Sequence, residues 1–299
     1  MGSPEFALPS LERLAELYSV VGVVTQPDRP AGRGMTLTPP PVKRLAERLG
    51  IATIQPEKLR AQGAFEQLQA WQPELIVVTA FGQILRQNVL DLPRLGCINV
   101  HASLLPRWRG AAPIQAALLH GDGLTGVTIM RMDAGVDTGP MLAQRSEPIQ
   151  PEDTAASLGE RLARLGADLL VETLPGYVSG QIQPQPQDES QATRAPMLKK
   201  EEGQLDFSQP ARDLAHKVQA FNPWPGTYFP WQAGILKVHR AHSVVGEVDE
   251  VGQRRTLDGK PAVVCGEGWL VFDEVQPAGK KAMPGEVFLR GARDWTKGS

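Results

Sequence analysis

The chain is 299 residues long and carries 31 basic and 33 acidic side chains, a net charge of −2, with a hydrophobic share of 41%. That length suits two domains, each able to bury a core. A near-neutral balance argues against broad charge-driven nucleic-acid binding, so any RNA contact must rest on local patches. Cys97 and Cys265 make no disulfide framework and fit a reducing cytoplasm. No apolar run approaches the ~20 residues of a membrane span, no signal peptide is visible, and no His/Cys group has metal spacing.

In chain order, residues 1–7 read as a turn into a helix, with Ser3 as N-cap, Pro4 at the first helical position, and Leu8, Leu11, Leu14 and Leu17 following at helical spacing. Val20 to Thr25 is a short β-branched strand. From Gln26 to Pro41, five prolines and two glycines argue against regular structure, and so long a loop inside a domain is functional or disordered. Composition leaves open whether Arg29 and Arg33 there meet phosphate or are only solvated. Val42 to Leu49 is helical, Ile51 to Ile54 a strand edge, and Pro56 to Gln72 a helix with Leu59, Phe65 and Leu68 inward. Glu74 to Thr79 then reads as a buried parallel strand ending in the loop Ala80-Phe81-Gly82-Gln83-Ile84-Leu85.

Gly96 to Gly110 begins as a strand and ends as a loop. Side chains alternate across a strand, so Ile98 and Val100 face one way while Asn99 and His101 face the other. Ala112 to His120 is helical and Gly126 to Met130 is another strand. Between them Gly121-Asp122-Gly123-Leu124-Thr125-Gly126 matches G-x-G-x-x-G, but a helix precedes it and a strand follows. A dinucleotide fingerprint needs the reverse order, so a nicotinamide site is a poor reading. Downstream, Asp137 lies between Gly135 and Gly139, which let the backbone turn sharply. An amide that holds a developing oxyanion, an imidazole that moves protons and a carboxylate that fixes its tautomer suit acyl transfer.

Asp153-Thr154 caps a long amphipathic helix carrying Leu158, Leu162, Leu165, Leu169 and Leu170. It closes a first domain over residues 1–180. Residues 181–199 are Gln- and Pro-rich and read as a linker. The remainder, 200–299, holds a helix at Ala211 to Phe221, the turn cluster Asn222-Pro223-Trp224-Pro225-Gly226, and short strands at Thr227–Trp231, Ile235–His239, Ala262–Cys265 and Trp269–Glu274, as in a small barrel. Strand and helix alternating through the first domain imply an α/β fold with a doubly wound, mostly parallel sheet. The loops at 79–85, 101–110 and 132–140 should then share one edge of it.

Asn99-Val100-His101-Ala102-Ser103-Leu104-Leu105-Pro106-Arg107-Trp108-Arg109-Gly110, paired with Asp133-Ala134-Gly135-Val136-Asp137-Thr138-Gly139, resembles the 10-formyltetrahydrofolate-dependent formyltransferases over nearly the whole chain. The resemblance implies catalysis by Asn99, His101 and Asp137, and folate contacts at Phe81, Gly82, Ile84, Ser103, Leu104, Leu105, Pro106 and Asp133, without a metal. The proline-arginine loop, Phe221-Asn222-Pro223-Trp224-Pro225 and Gln276-Pro277-Ala278-Gly279-Lys280-Lys281 are similar to the members that formylate methionyl initiator tRNA. For this chain they imply a C-terminal, oligonucleotide-binding-like domain and tRNA contacts at Arg29, Arg33, Arg107, Arg109, Lys280 and Lys281, in a cytoplasmic monomer. Such members carry a short apolar strand before the Gly-Ser-Pro-Glu-Phe-Ala turn, so the first strand of the sheet is expected to be missing. Two other readings stand beside this one: a formyltransferase acting on a small amine, and a non-catalytic RNA-binding relative. Trp108 reads equally as pocket wall or hydrophobic anchor.

Overall fold

The computed structural model describes residues 1–31, 35–232 and 234–296. The chain divides into two compact units, the first made of Met1–Pro113, Leu124–Pro148 and Gly159–Ala195, the second of the remaining segments.

The first unit opens with α1 (Leu8–Leu17), β1 (Val23–Val24), the ribbon of β2 (Arg29–Ala31) and β3 (Thr36–Thr38), α2 (Pro41–Arg48), β4 (Thr53–Ile54), α3 (Gln62–Trp71) and β5 (Ile76–Val78). The short α4 (Gln87–Leu90), β6 (Cys97–His101) and β7 (Arg109–Gly110) follow. After α5 (Pro113–Leu119), which belongs to the second unit from Ile114 on, come β8 (Leu124–Arg131), β9 (Met141–Pro148), α6 (Ala155–Val178) and β10 (Arg194–Ala195).

β1 and β4 pair in parallel, as do β5 and β6, with Val78 opposite Asn99. β8 pairs antiparallel with β6, and β9 antiparallel with β8. The hairpin-like return through residues 132–140 dictates this last pairing, because strands joined by so short a connection can only run antiparallel. Val24, Leu68, Ile76, Val78, Phe81 and Cys97 form one core cluster. α6 packs tightly elsewhere: a Cβ on its Gly166 would lie 2.8 Å from Val100 Cγ1 and 3.2 Å from Val127 Cγ1. Val100 is therefore covered, and by strand alternation Asn99 and His101 are left on the other face.

Among the described residues, Met1 and Gly2 lie between β1 and β5. Gly2 N–H donates to Val24 O (3.0 Å), Thr79 N–H to Met1 O (2.9 Å), and the Met1 ammonium to Val77 O (2.6 Å). The space is one strand wide, and a cavity of about 440 Å³ lined by Leu11, Val23, Trp71, Ile76 and Leu174, among others, adjoins it. Burial lowers the ammonium pKa to about 6.

Two sequence expectations need correcting. The proline-rich stretch is not without regular structure, since Arg29, Pro30 and Ala31 pair with Thr38, Leu37 and Thr36 in an antiparallel ribbon. A lone two-stranded ribbon is all edge, where the N–H that proline lacks costs least. Arg33 lies outside the described residues. The linker-like stretch is also not loose: Gln185 and Met141 exchange backbone hydrogen bonds of 2.8 Å, and β10 pairs with β7.

The second unit contains α7 (Ala211–Ala220), β11 (Thr227–Trp231), β12 (Gly234–Val244), β13 (Arg254–Leu257), β14 (Lys260–Val264), β15 (Trp269–Pro277), β16 (Met283–Pro284) and α8 (Gly285–Gly291). The sheet is antiparallel in the order β11-β12-β15-β14-β13, with β16 on β15. β12 runs beyond the expected His239 to Val244, through a bulge between Val238 and Ala241. Phe229, Phe272, Phe288 and Trp295 pack as a ring cluster, with centroids 5.6 Å apart for Phe288 and Trp295. Among the described residues no helix is long and apolar enough to cross a membrane.

Candidate active site

The last residues of β6 and the two loops after it build the site. Asn99 Nδ2 donates to Asp137 Oδ1 (3.3 Å), Asp137 Oδ2 accepts the Gly110 N–H (2.9 Å), and His101 Nδ1 stands 3.6 Å from Asp137 Oδ2. The trio expected from sequence therefore converges. Its approach differs from the expectation, however. Because β8 is antiparallel, with Arg131 opposite Ile98 and Thr128 opposite His101, the 132–140 loop leaves at the far end of β6. It folds back over the sheet face to bring Asp137 to Asn99. Only the 79–85 and 101–110 loops leave at the edge formed by the C-terminal ends of the parallel pair β5 and β6.

His101 Nε2 lies 3.0 Å from the Trp108 carbonyl. A carbonyl only accepts, so Nε2 carries a proton and Nδ1 is the nitrogen presented to Asp137. Asp137 can spread a positive charge on the ring, and its own oxygens are fixed by Asn99 and Gly110. Asn99 keeps a second N–H for a ligand. Trp108 and Asp137 both hold left-handed backbone, with φ of 63° and 55°, which side-chain-bearing residues keep only where the surroundings enforce it. Gly110, with φ of 123°, takes up without strain a backbone that a residue bearing a Cβ rarely holds. A Cβ there would meet Ala195 O at 2.4 Å.

What enforces this geometry lay outside the sequence reading. Thr193 Oγ1 accepts the Trp108 N–H (2.9 Å), and Thr193 N–H donates to Pro106 O (3.2 Å). Gln187 Nε2 donates to Asp137 O (2.8 Å) and Gly139 O (2.7 Å). Thr128 Oγ1 accepts the Leu105 N–H and donates to Ser103 O, while Gln144 Nε2 donates to Leu105 O. The polar stretch 187–195 is thus a clamp over both site loops. Its abundance of Gln, Ser and Thr was the available signal, and composition alone reads that signal as linker.

The remaining expected residues divide by exposure. Phe81 and Leu105 are buried, at 2% and 3% exposure, and the Phe81 carbonyl and both backbone groups of Leu105 are already hydrogen-bonded within the protein. Ser103 Oγ is committed to Arg107 O (2.6 Å). Leu104 and Pro106 are half-buried and Gly82 is exposed. Asp133 Oδ1 accepts from Gly135 N–H (3.0 Å) and Thr138 Oγ1 (2.7 Å), shaping the turn that presents Asp137. Ile84 and Val136, 77% and 52% exposed, offer apolar surface on two of the site loops, as a flat heteroaromatic ligand requires. Among the described residues no group of three or more His, Cys, Asp or Glu side chains is placed to hold a metal.

Trp108 is 6% exposed and acts as an anchor, with the Arg107 guanidinium 4.4 Å from its ring centre. Arg109 does not fit the expected tRNA role. It is 6% exposed and donates from Nη1 and Nη2 to Glu189 (2.8 and 2.7 Å) and from Nε to Gln187 (2.9 Å). Its charge is used inside the clamp, and its hydrogen bonds lower the Glu189 pKa. Arg29, Lys280 and Lys281 are exposed.

The model of the formyl transferase family matches residues 10–174, and that of its C-terminal domain matches residues 197–293. Methionyl-tRNA formyltransferase from Halorhodospira halophila is 51% identical over 98% of this chain and 95% of its own, and that from Myxococcus xanthus 48% identical over 97% and 93%. The crystal structure of an N-formyltransferase from Helicobacter canadensis, in complex with folinic acid and dTDP-3-aminofucose, shares the fold at a TM-score of 0.67. It is 17% identical and covers 91% of this chain and 96% of its own. Matches over most of both units, and half of all aligned residues identical in full-length relatives, give one conclusion: the chain belongs to the formyl transferase family.

Proposed function

We propose that the protein transfers the formyl group of 10-formyltetrahydrofolate to the α-amino group of methionine esterified to initiator tRNA, and does so as a cytoplasmic monomer. The convergence of Asn99, His101 and Asp137 over the β6 face carries this reading. The names of the nearly full-length relatives support the acceptor.

The donor supplies an electrophilic formyl carbon, and the residues supply the rest. The 79–85 and 103–106 loops, with Ile84 and Val136 as apolar walls, hold the donor's ring system. Asn99, through its second N–H, donates to the formyl oxygen as negative charge develops there. His101 donates to the same oxygen from Nδ1 when that nitrogen is protonated, its Nε2–H remaining on the Trp108 carbonyl. Asp137 balances the imidazolium charge and relays the proton lost by the attacking amine to the departing nitrogen. The net reaction consumes no proton.

The test is acceptor competition with the purified protein. Methionyl-tRNA should be formylated far faster than a free amino sugar or glycinamide ribonucleotide at equal concentration. Preference for the small amine would overturn the reading.

A further inference from the structure

Three glutamines tie together the segments that follow β1, β4 and β5. Gln26, after β1, donates from Nε2 to Phe81 O (3.1 Å). Gln83, in the same 79–85 loop, donates from Nε2 to Pro56 O (3.1 Å) and accepts the Leu59 N–H on Oε1 (2.9 Å). Gln55, after β4, closes the circuit by donating from Nε2 to Gln26 O (2.9 Å) and Asp28 Oδ1 (2.6 Å). Each segment is thus bonded to both others, and none can shift without breaking hydrogen bonds to the other two.

The segment after β1 runs straight into the ribbon. Asp28 precedes Arg29, whose partner across the ribbon is Thr38. Lys43 Nζ donates to both Asp28 carboxylate oxygens (3.0 and 2.8 Å). Hydrogen bonds from Lys43 and Gln55 hold that carboxyl below the usual carboxylate range, so it stays a charged acceptor at neutral pH. Beyond this root the ribbon has little support. Among the described residues β2 and β3 pair only with each other, and Met35 and Leu37 are 69% and 66% exposed. A two-stranded ribbon is marginal by itself, so its order depends on how firmly its root is held.

We propose that Gln26, Gln55 and Gln83 are positioning residues that couple the 79–85 loop to the ribbon, so that donor and acceptor each raise the enzyme's affinity for the other. The inference rests on the reading of the 79–85 loop as folate-binding and of the ribbon as tRNA-binding. A donor lying on the 79–85 loop restrains it. The Phe81 carbonyl then restrains Gln26, and Gln26 and Asp28, both held by Gln55, restrain the root of the ribbon. Part of the ribbon's ordering entropy is therefore lost before the RNA arrives, and the RNA binds more tightly for it. Linkage makes the effect reciprocal.

The experiment uses tetrahydrofolate in place of the donor, because without a formyl group it leaves methionyl-tRNA unreacted. In the wild type its Kd should fall roughly three- to tenfold when methionyl-tRNA saturates the protein, and the Kd of methionyl-tRNA should fall by the same factor with tetrahydrofolate bound. In Gln26→Ala and Gln55→Ala the factor should approach one. Gln26→Glu, which keeps the size but turns an acceptor towards the Phe81 carbonyl, should do the same and serves if an alanine variant does not fold. Tetrahydrofolate alone should also slow amide hydrogen exchange in β2 and β3 of the wild type, and should not in the Gln26 variants. A wild-type factor of one would overturn the proposal. So would variants that keep the wild-type factor while both affinities drop, which is what a merely structural role produces, and so would wild-type ribbon exchange that tetrahydrofolate leaves unchanged. If methionyl-tRNA did not bind, the acceptor reading would fail, yet the exchange measurement needs no RNA and would still decide the link. Protection that vanishes in the Gln26 variants supports it, and unchanged exchange ends it. If tetrahydrofolate did not bind, the donor reading and this proposal would fall together.

Discussion

Asn99 is bonded to Asp137 through one N–H and is free to donate through the other, so one side chain both orders the site and stabilises charge. Removing an oxyanion donor of this kind lowers turnover by roughly 10²-fold or more. Asn99→Ala should show that loss in kcat with little change in the urea midpoint, because the side chain is half-buried and fills no core. Turnover within a few-fold of wild type would remove Asn99 from the mechanism. Arg109 predicts a different pattern. Its guanidinium is locked to Glu189 and Gln187, and Glu189 is itself 72% exposed, so the partner left behind stays solvated. Arg109→Ala should cost about 1–3 kcal/mol of stability from lost charged hydrogen bonds and slow catalysis by loosening the clamp on Asp137. The salt dependence of tRNA binding should not change, whereas a shallower slope would return Arg109 to the RNA surface.

Among the elements, the slot between β1 and β5 is bridged by Met1 and Gly2 and adjoined by a cavity. The Met1 ammonium sits there against Val77 O with its pKa lowered to about 6 by burial, against about 8 for a free terminus. As pH falls from about 8 towards 6, the unfolded chain binds a proton that the folded chain resists. Stability therefore declines through that window, by about 2 kcal/mol at most, and levels off below it. Extending the chain upstream of Met1 by about five β-branched residues, an ordinary strand length, replaces the amine with an amide and supplies apolar side chains to the cavity. The extended protein should have a higher urea midpoint and a flatter pH profile between 6 and 8. Coincident profiles would mean that the slot accepts no strand. β6 and its trio were legible in the sequence because alternation in Asn99-Val100-His101 is local, and a carboxylate between two glycines marks a turn. The clamp was not, because Gln187, Glu189 and Thr193 act on residues roughly 50 to 85 positions away. Their side chains serve loop backbone and the Arg109 guanidinium instead of a core, so no periodicity betrays them. β13 was missed for a related reason: Arg254-Arg255-Thr256-Leu257 shows no clear alternation and becomes a strand only by pairing with β14.

For the whole molecule, a net charge of −2 leaves recognition of a polyanion to a few exposed cations. Lys280 and Lys281 stand on the turn after β15, whose shape is set by Gly279 at φ 73° and by a hydrogen bond from Gln276 Nε2 to Lys280 O (2.8 Å). The turn is held by backbone and by Gln276, so both lysine side chains are expendable for folding. Each phosphate contact releases counterions, and its loss reduces the slope of log affinity against log salt by about 0.7 to 0.9. Lys280→Gln/Lys281→Gln should therefore weaken methionyl-tRNA binding at low salt and flatten that slope by up to about 2. The KM of the folate donor, whose proposed site is built wholly in the first unit, should not move. Arg29 on the ribbon should behave likewise with a smaller change, having one charge to lose instead of two. If the double variant kept the wild-type slope, the second unit's lysines would be ordinary solvated surface, and tRNA affinity would have to rest on the arginines of the first unit.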